Sequence, residues 1–267
     1  MTSPSSSSSC RKSTREPGDA HGKAQMGSGP YPGTFTSKRA RWKIAIGLHP
    51  KAAVEADNQV LQKIRRLVAS PHVAALGLIG LDRTVGSDKW AKQEEVFRDL
   101  LEMADPAKPV ILHIRGEAGD KYACDTHALA LLTIKEVCNS SWRIHIRNFV
   151  GEPCTLRRWC QAFRHCYFSF SAMAADFDDT QVKTLREVPL DWILLETDSP
   201  YLMPRPDQRY NIPAYISDVA QKVGMHVEIT RDNFYLTSRT RRKYNRTGGE
   251  RDNQQLYTNS QKRRKLA

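Results

Sequence analysis

From residue 43 onward, short apolar runs alternate with longer stretches whose apolar positions recur every three to four residues. The runs at 43–48, 73–81, 109–113, 143–146, 166–171 and 191–196 predict strands. They are continuous rather than alternating, as in parallel strands covered on both faces by helices. The stretches at 52–69, 91–104, 125–138, 155–164, 180–187 and 213–223 predict helices. In the first, Val60, Leu61, Ile64, Leu67 and Val68 form one stripe. Asp125 is the expected N-cap of the third.

Strands each followed by a helix imply either an open doubly wound sheet or a (β/α)₈ barrel. No glycine-rich phosphate loop follows any strand, which weighs against a nucleotide-binding sheet. No repeat of 20–50 residues is present. In a barrel, the C-terminal strand ends form the active face. The polar residues at those ends are His49, Asp82, His113, Arg147 and Asp198.

Charge divides the chain differently. The net charge is +12 over 267 residues. Residues 1–43 hold eight Lys and Arg against two acids, and residues 239–267 hold ten against two. The middle is close to neutral. The expected organisation is a disordered, basic Ser/Gly/Pro-rich tail at 1–41, a folded domain at 42–237 and a basic tail at 238–267. Basic tails favour polyanions such as DNA through counterion release. The KRRK at 262–265 reads as a weak nuclear-import signal. No apolar run reaches the roughly 20 residues that span a bilayer, and the first 25 residues contain no apolar signal-peptide core. An intracellular protein, nuclear or cytoplasmic and without a membrane partner, is expected. Cys160, His165 and Cys166 lie close together but read as ordinary reduced residues rather than a zinc site.

The chemistry-bearing residues sit in short motifs. "VILHIRG" ends a strand in His113, a metal-ligand type, with Arg115 two residues on, suited to a phosphate. "SWRIHIRNFVG" puts His145 and Arg147 on one strand face. "ILLETDSPYLMP" does the same for Glu196 and Asp198.

Taken in order, "GLHP", "GLIGLD", "VILHIRG", "HIRNFVG" and "ILLETDSPYLMP" resemble the TatD family of metal-dependent deoxyribonucleases. The likeness runs from about Ile44 to about Leu236 and is closest to animal members with a long N-terminal region. It implies a TIM-type barrel, one or two divalent ions (Mg²⁺, Mn²⁺ or Zn²⁺), and hydrolysis of DNA phosphodiester bonds from an end. Matched by position, His113 is a metal ligand and Asp198 is the catalytic, metal-binding aspartate. His49 lies in the turn near the substrate, and Arg115 falls where a phosphate contact is expected.

Three departures change the expectation. The family's opening His-x-His strand has no counterpart before Ile44, so the barrel is expected to lack its first strand and helix. Leu78 replaces a bridging glutamate. Arg147 replaces a histidine, and a permanent cation repels a metal. His145, on the same face, is the residue that would compensate, while Arg147 is expected to contact a phosphate. The expected function is a TatD-type deoxyribonuclease with weak metal binding and impaired activity. The alternative is a catalytically inactive barrel that binds nucleic acid.

Overall fold

The computed structural model describes residues 43–205 and 209–227. The two tails expected at 1–41 and 238–267 lie outside the described residues.

Six strands form one parallel sheet in sequential order. They are β1 (Ile44–Ile46), β2 (Val73–Asp82), β3 (Val110–Arg115), β4 (Arg143–Arg147), β5 (His165–Phe170) and β6 (Ile193–Leu195). The helices between and after them are α1 (Asn58–Val68), α2 (Trp90–Leu101), α3 (Cys124–Val137), α4 (Pro153–Ala162), α5 (Asp179–Glu187) and α6 (Ile216–Val227). A doubly wound sheet reverses its strand order at a switch point. Here each new strand pairs only with its predecessor and the next, which is the winding of a TIM-type barrel. The described residues supply six strands where such a barrel has eight, and so make up part of a barrel.

Each strand has one face toward the helices and one toward the barrel interior. In β4 the helix-facing Ile144 and Ile146 are fully buried, while His145 and Arg147 point the other way and are only half-buried. In β5, Phe168 and Phe170 pack outward and Ser169 inward. The outward residues meet the apolar stripes of the helices, with Trp159 of α4 and Phe97 of α2 among the largest fully buried side chains. Burial at roughly 25 cal/mol per Å² of apolar surface makes this layer the main source of stability. The inward face is left with polar groups at its C-terminal end.

Two helix starts differ from the pattern-based expectation. The stretch at 52–69 is not one helix. A 3-10 turn, Pro50–Glu55, precedes α1, because the Asp57 carboxylate accepts the Val60 amide at 2.8 Å and caps a new helix. Asp125 does not cap α3. Asp120 accepts the amides of Tyr122 and Ala123 at 3.0 and 2.8 Å, turning the chain into the helix early. Ala123 holds the cap position at φ 52°, and Asp125 sits in the first turn, where it complements the helix dipole.

Candidate active site

The rim at the C-terminal strand ends gathers two groups of side chains. The first comes from β1–β3. His49 follows β1, Asp82 ends β2 and His113 lies on β3, and their ligand-type atoms all fall within 4.8 Å of one another. Asp82 is fully buried. Gln93 of α2 fixes it by accepting its amide at 3.1 Å and donating to its carbonyl at 3.0 Å. Its Oδ2 lies 3.0 Å from His113 Nε2 and 3.8 Å from Lys51 Nζ, and its Oδ1 accepts from the Thr84 amide and hydroxyl. Burial opposes ionisation of Asp82, but the hydrogen bonds from His113 and Thr84 outweigh it and hold its pKa well below the usual carboxylate range.

His49 and His113 lie with ring centroids 4.4 Å apart. Burial, then the nearby His113, lowers the His49 pKa to about 4, so its imidazole is neutral at pH 7. His49 Nδ1 accepts from the Lys51 amide at 3.2 Å, capping the 3-10 turn. Ligation through either ring nitrogen gives up that weak bond. The position of β2 against β3 depends on Gly80, which has φ 138°. A Cβ there would stand 2.1 Å from the His113 carbonyl oxygen, so any side chain would push the imidazole's backbone away.

The second group comes from β4–β6. Arg147 is paired in register with His113 on the adjacent strand, so the two side chains stand side by side on the inner face. The Arg147 guanidinium makes an ion pair with Asp198 through one Nη and lies 3.5 Å by Nε from Glu196 Oε1. That second contact is too poorly aligned to count as a hydrogen bond, and Oε1 accepts none. Glu196 Oε2 accepts from the Ser169 hydroxyl at 2.5 Å. His145 Nε2 lies 2.8 Å from the same hydroxyl, and the Asn148 amide donates to it at 3.2 Å. Burial raises the Glu196 pKa above its ordinary value, although Arg147 and Ser169 oppose the shift. Burial, followed by Arg147, lowers the His145 pKa to about 4.

The residues singled out in the sequence are therefore split. His49 and His113 come together, and Asp82, noted there only as a rim residue, completes their cluster. Asp198 and His145, expected near the metal, are not part of it. Asp198 pairs with Arg147, and His145 with Ser169. Arg115 ends β3 and is exposed, outside both groups. Leu78 is half-buried and offers no ligand atom. Ser169 and Thr84 lie outside every quoted motif, and Asn148 lies within "HIRNFVG" with no role of its own read there. Ser169 was recoverable only from its inward position in the alternation of "CYFSFS".

A divalent ion fits the first group. Two imidazoles and a carboxylate are the usual protein ligand number for a catalytic zinc, and among the described residues the buried, ionised Asp82 has no full counter-charge closer than the half-exposed Lys51. The second group is less suited to one, because Arg147 already pairs with Asp198 and sets a permanent positive charge beside both carboxylates.

A parallel barrel with a metal-capable rim defines the class as a metal-dependent TIM-type hydrolase. Comparison with known proteins agrees. The chain matches the family described as TatD related DNase over residues 35–241. It is 32% identical over 206 residues to an uncharacterised metal-dependent hydrolase, YcfH, of Escherichia coli K12, covering 72% of this chain and 71% of that protein. It is 32% identical over 193 residues to the 3'-5' ssDNA/RNA exonuclease TatD of Erwinia billingiae, covering 68% and 69%. Among solved structures, the TatD homologue YjjV of E. coli K12 superposes with a TM-score of 0.60 at 21% identity over 73% of each chain. A TatD-family hydrolase of Entamoeba histolytica gives 0.58 at 19%, over 74% and 73%. The chain belongs to the TatD-related family of metal-dependent hydrolases.

Proposed function

We propose that the protein hydrolyses phosphodiester bonds of single-stranded nucleic acid with a divalent ion held by His49, Asp82 and His113. The observation that carries this reading is the meeting of those three side chains with Arg147 and Asp198 on one rim. Support also comes from relatives named as 3'-5' ssDNA/RNA exonucleases.

A bound divalent ion polarises a phosphoryl oxygen and lowers the pKa of water. The protein's own part is positional. Asp82 orients the His113 imidazole and supplies negative charge. Asp198 takes the proton of the attacking water, whose oxygen bonds to phosphorus as the ester P–O bond breaks, and the leaving oxygen takes a proton from solvent water. Arg147 and the exposed Arg115 offer donors to phosphate oxygens.

The Arg147–Asp198 ion pair favours a second reading, a nucleic-acid-binding barrel without turnover, because it ties up the carboxylate that would act as base. End-labelled single-stranded DNA and RNA, incubated with Mg²⁺, Mn²⁺ or EDTA, separate the two. Metal-dependent shortening that His113→Ala abolishes supports hydrolysis. Salt-sensitive binding without shortening by folded protein replaces it with the second reading.

A further inference from the structure

We infer that Arg147 stands in place of a second cation. The rim takes one divalent ion, at His49, Asp82 and His113, and seats a phosphodiester between that ion and the guanidinium. The inference rests on the metal-dependent reading above.

Three observations carry it. The first is placement. Arg147 and His113 are register partners on neighbouring parallel strands, about 4.8 Å apart by sheet geometry, so a cation on His113 and the guanidinium flank the same space. The second is the ligand supply. The inward carboxylates of the β4–β6 side are Glu196 and Asp198, and Arg147 contacts both. An incoming ion would have to break the Asp198 pair and would meet a permanent positive charge beside it. The third is rigidity. Ser169 donates to Glu196 at 2.5 Å, and His145 and the Asn148 amide both engage the Ser169 oxygen. That chain, rooted in β4 and β5, holds Glu196 against Arg147. The guanidinium is held by one Nη on Asp198, lies beside Glu196 and is about a quarter exposed, so donors remain for a phosphate.

The charges also balance. One divalent ion with Arg147 and Lys51 faces Asp82, Glu196 and Asp198 as well as a phosphate. A second divalent ion would leave a large positive excess in a half-buried pocket.

The test is ion stoichiometry on the full chain, using Mn²⁺ in equilibrium dialysis with electron paramagnetic resonance and no substrate. The wild type is expected to bind one Mn²⁺, with the six-line spectrum of an isolated ion. Arg147→Lys keeps one. Arg147→His removes the fixed charge, adds a ligand, and raises the count to two. Asp198→Asn leaves the wild-type count at one, which keeps the test decisive if Arg147→His does not fold. Two ions or none in the wild type, one ion in folded Arg147→His, or loss of the ion in Asp198→Asn overturns the inference. With Mn²⁺ present, Arg147→Gln is expected to weaken binding of a short single-stranded oligonucleotide about tenfold, the worth of a lost charged hydrogen bond; unchanged affinity overturns the phosphate role. Cleavage is scored separately. One ion without cleavage sinks the hydrolase reading and leaves this one standing, whereas two ions with cleavage does the reverse.

Discussion

The two halves of the rim are built from the same kinds of side chain and do opposite things with them. On the β1–β3 half, two imidazoles face one buried, ionised carboxylate, and among the described residues the nearest full positive charge is Lys51, 3.8 Å from Asp82 and half-exposed. That half is electrically open and complements a divalent ion. On the β4–β6 half, two carboxylates face one guanidinium held in the fold. That half already holds a cation of its own, and its permanent charge repels a metal ion. The comparison teaches that ligand-type residues at a strand end do not make a metal site by themselves. What decides is whether the fold has already supplied their counter-charge.

The largest expected effect separates the halves directly. His113→Ala should weaken Mn²⁺ binding at least about 100-fold, the upper range seen when the shell that orients a metal ligand is lost. Asp198→Asn should change it less than about threefold by the same scale. Titration calorimetry reads both, and equal losses would erase the distinction between the two halves. Next comes the cost of removing the cation from the β4–β6 half. Arg147→Ala leaves Asp198 and Glu196 without their cation, and should destabilise the fold by about 2 kcal/mol, below the 3–5 of a fully buried pair because the group is partly exposed. Urea denaturation at pH 7 measures this, and lowering the pH should restore part of the loss by protonating Glu196, whose pKa burial already raises.

A smaller effect concerns pH, and its sign is fixed by the depressed imidazole pKa values. His145 and His49 are held neutral to about pH 4, whereas an unfolded histidine takes a proton near 6.5. The unfolded chain therefore binds more protons over that window, and stability falls as the pH drops from about 6.5 toward 4. For His145 the loss is on the order of 1 kcal/mol at pH 5.5. His145→Gln, which keeps a donor for Ser169, should flatten this limb in thermal melts, and an unchanged limb would show that His145 is not its source. The smallest effect serves as a control outside both halves. Asp57→Ala removes the cap of α1 and should cost about 1 kcal/mol without changing Mn²⁺ affinity.

Much of the scaffold was legible because burial imposes period and length. The run "VAALGLIGL" reads as a strand covered on both faces, and it is one, extended by Asp82. The stripe of Val60, Leu61, Ile64, Leu67 and Val68 reads as a helix, and α1 carries it, although Leu67 is exposed rather than part of the buried face. The helix starts were less legible. Asp57 and Asp120 compete for amides several residues away, a choice between local hydrogen bonds that apolar periodicity does not register. The gathering of polar groups at the C-terminal strand ends was legible too, since His49, Asp82, His113, Arg147 and Asp198 each follow an apolar run. Their partners were not. Asp82 lies 31 residues from His113, and Ser169 lies 27 from Glu196.

The sequence by itself determined the alternation of strand and helix, the membership of the TatD-related family and the residue types present at the rim. Those follow from local patterns that any contiguous stretch carries. Only the tertiary structure decided how the rim is divided. Strand register sets His113 beside Arg147, Gly80 lets β2 approach β3, and the return of the chain after β6 delivers Asp198 to Arg147. Pairing of charge is a property of distance in space, and the distances between these groups are fixed by the sheet rather than by their spacing along the chain.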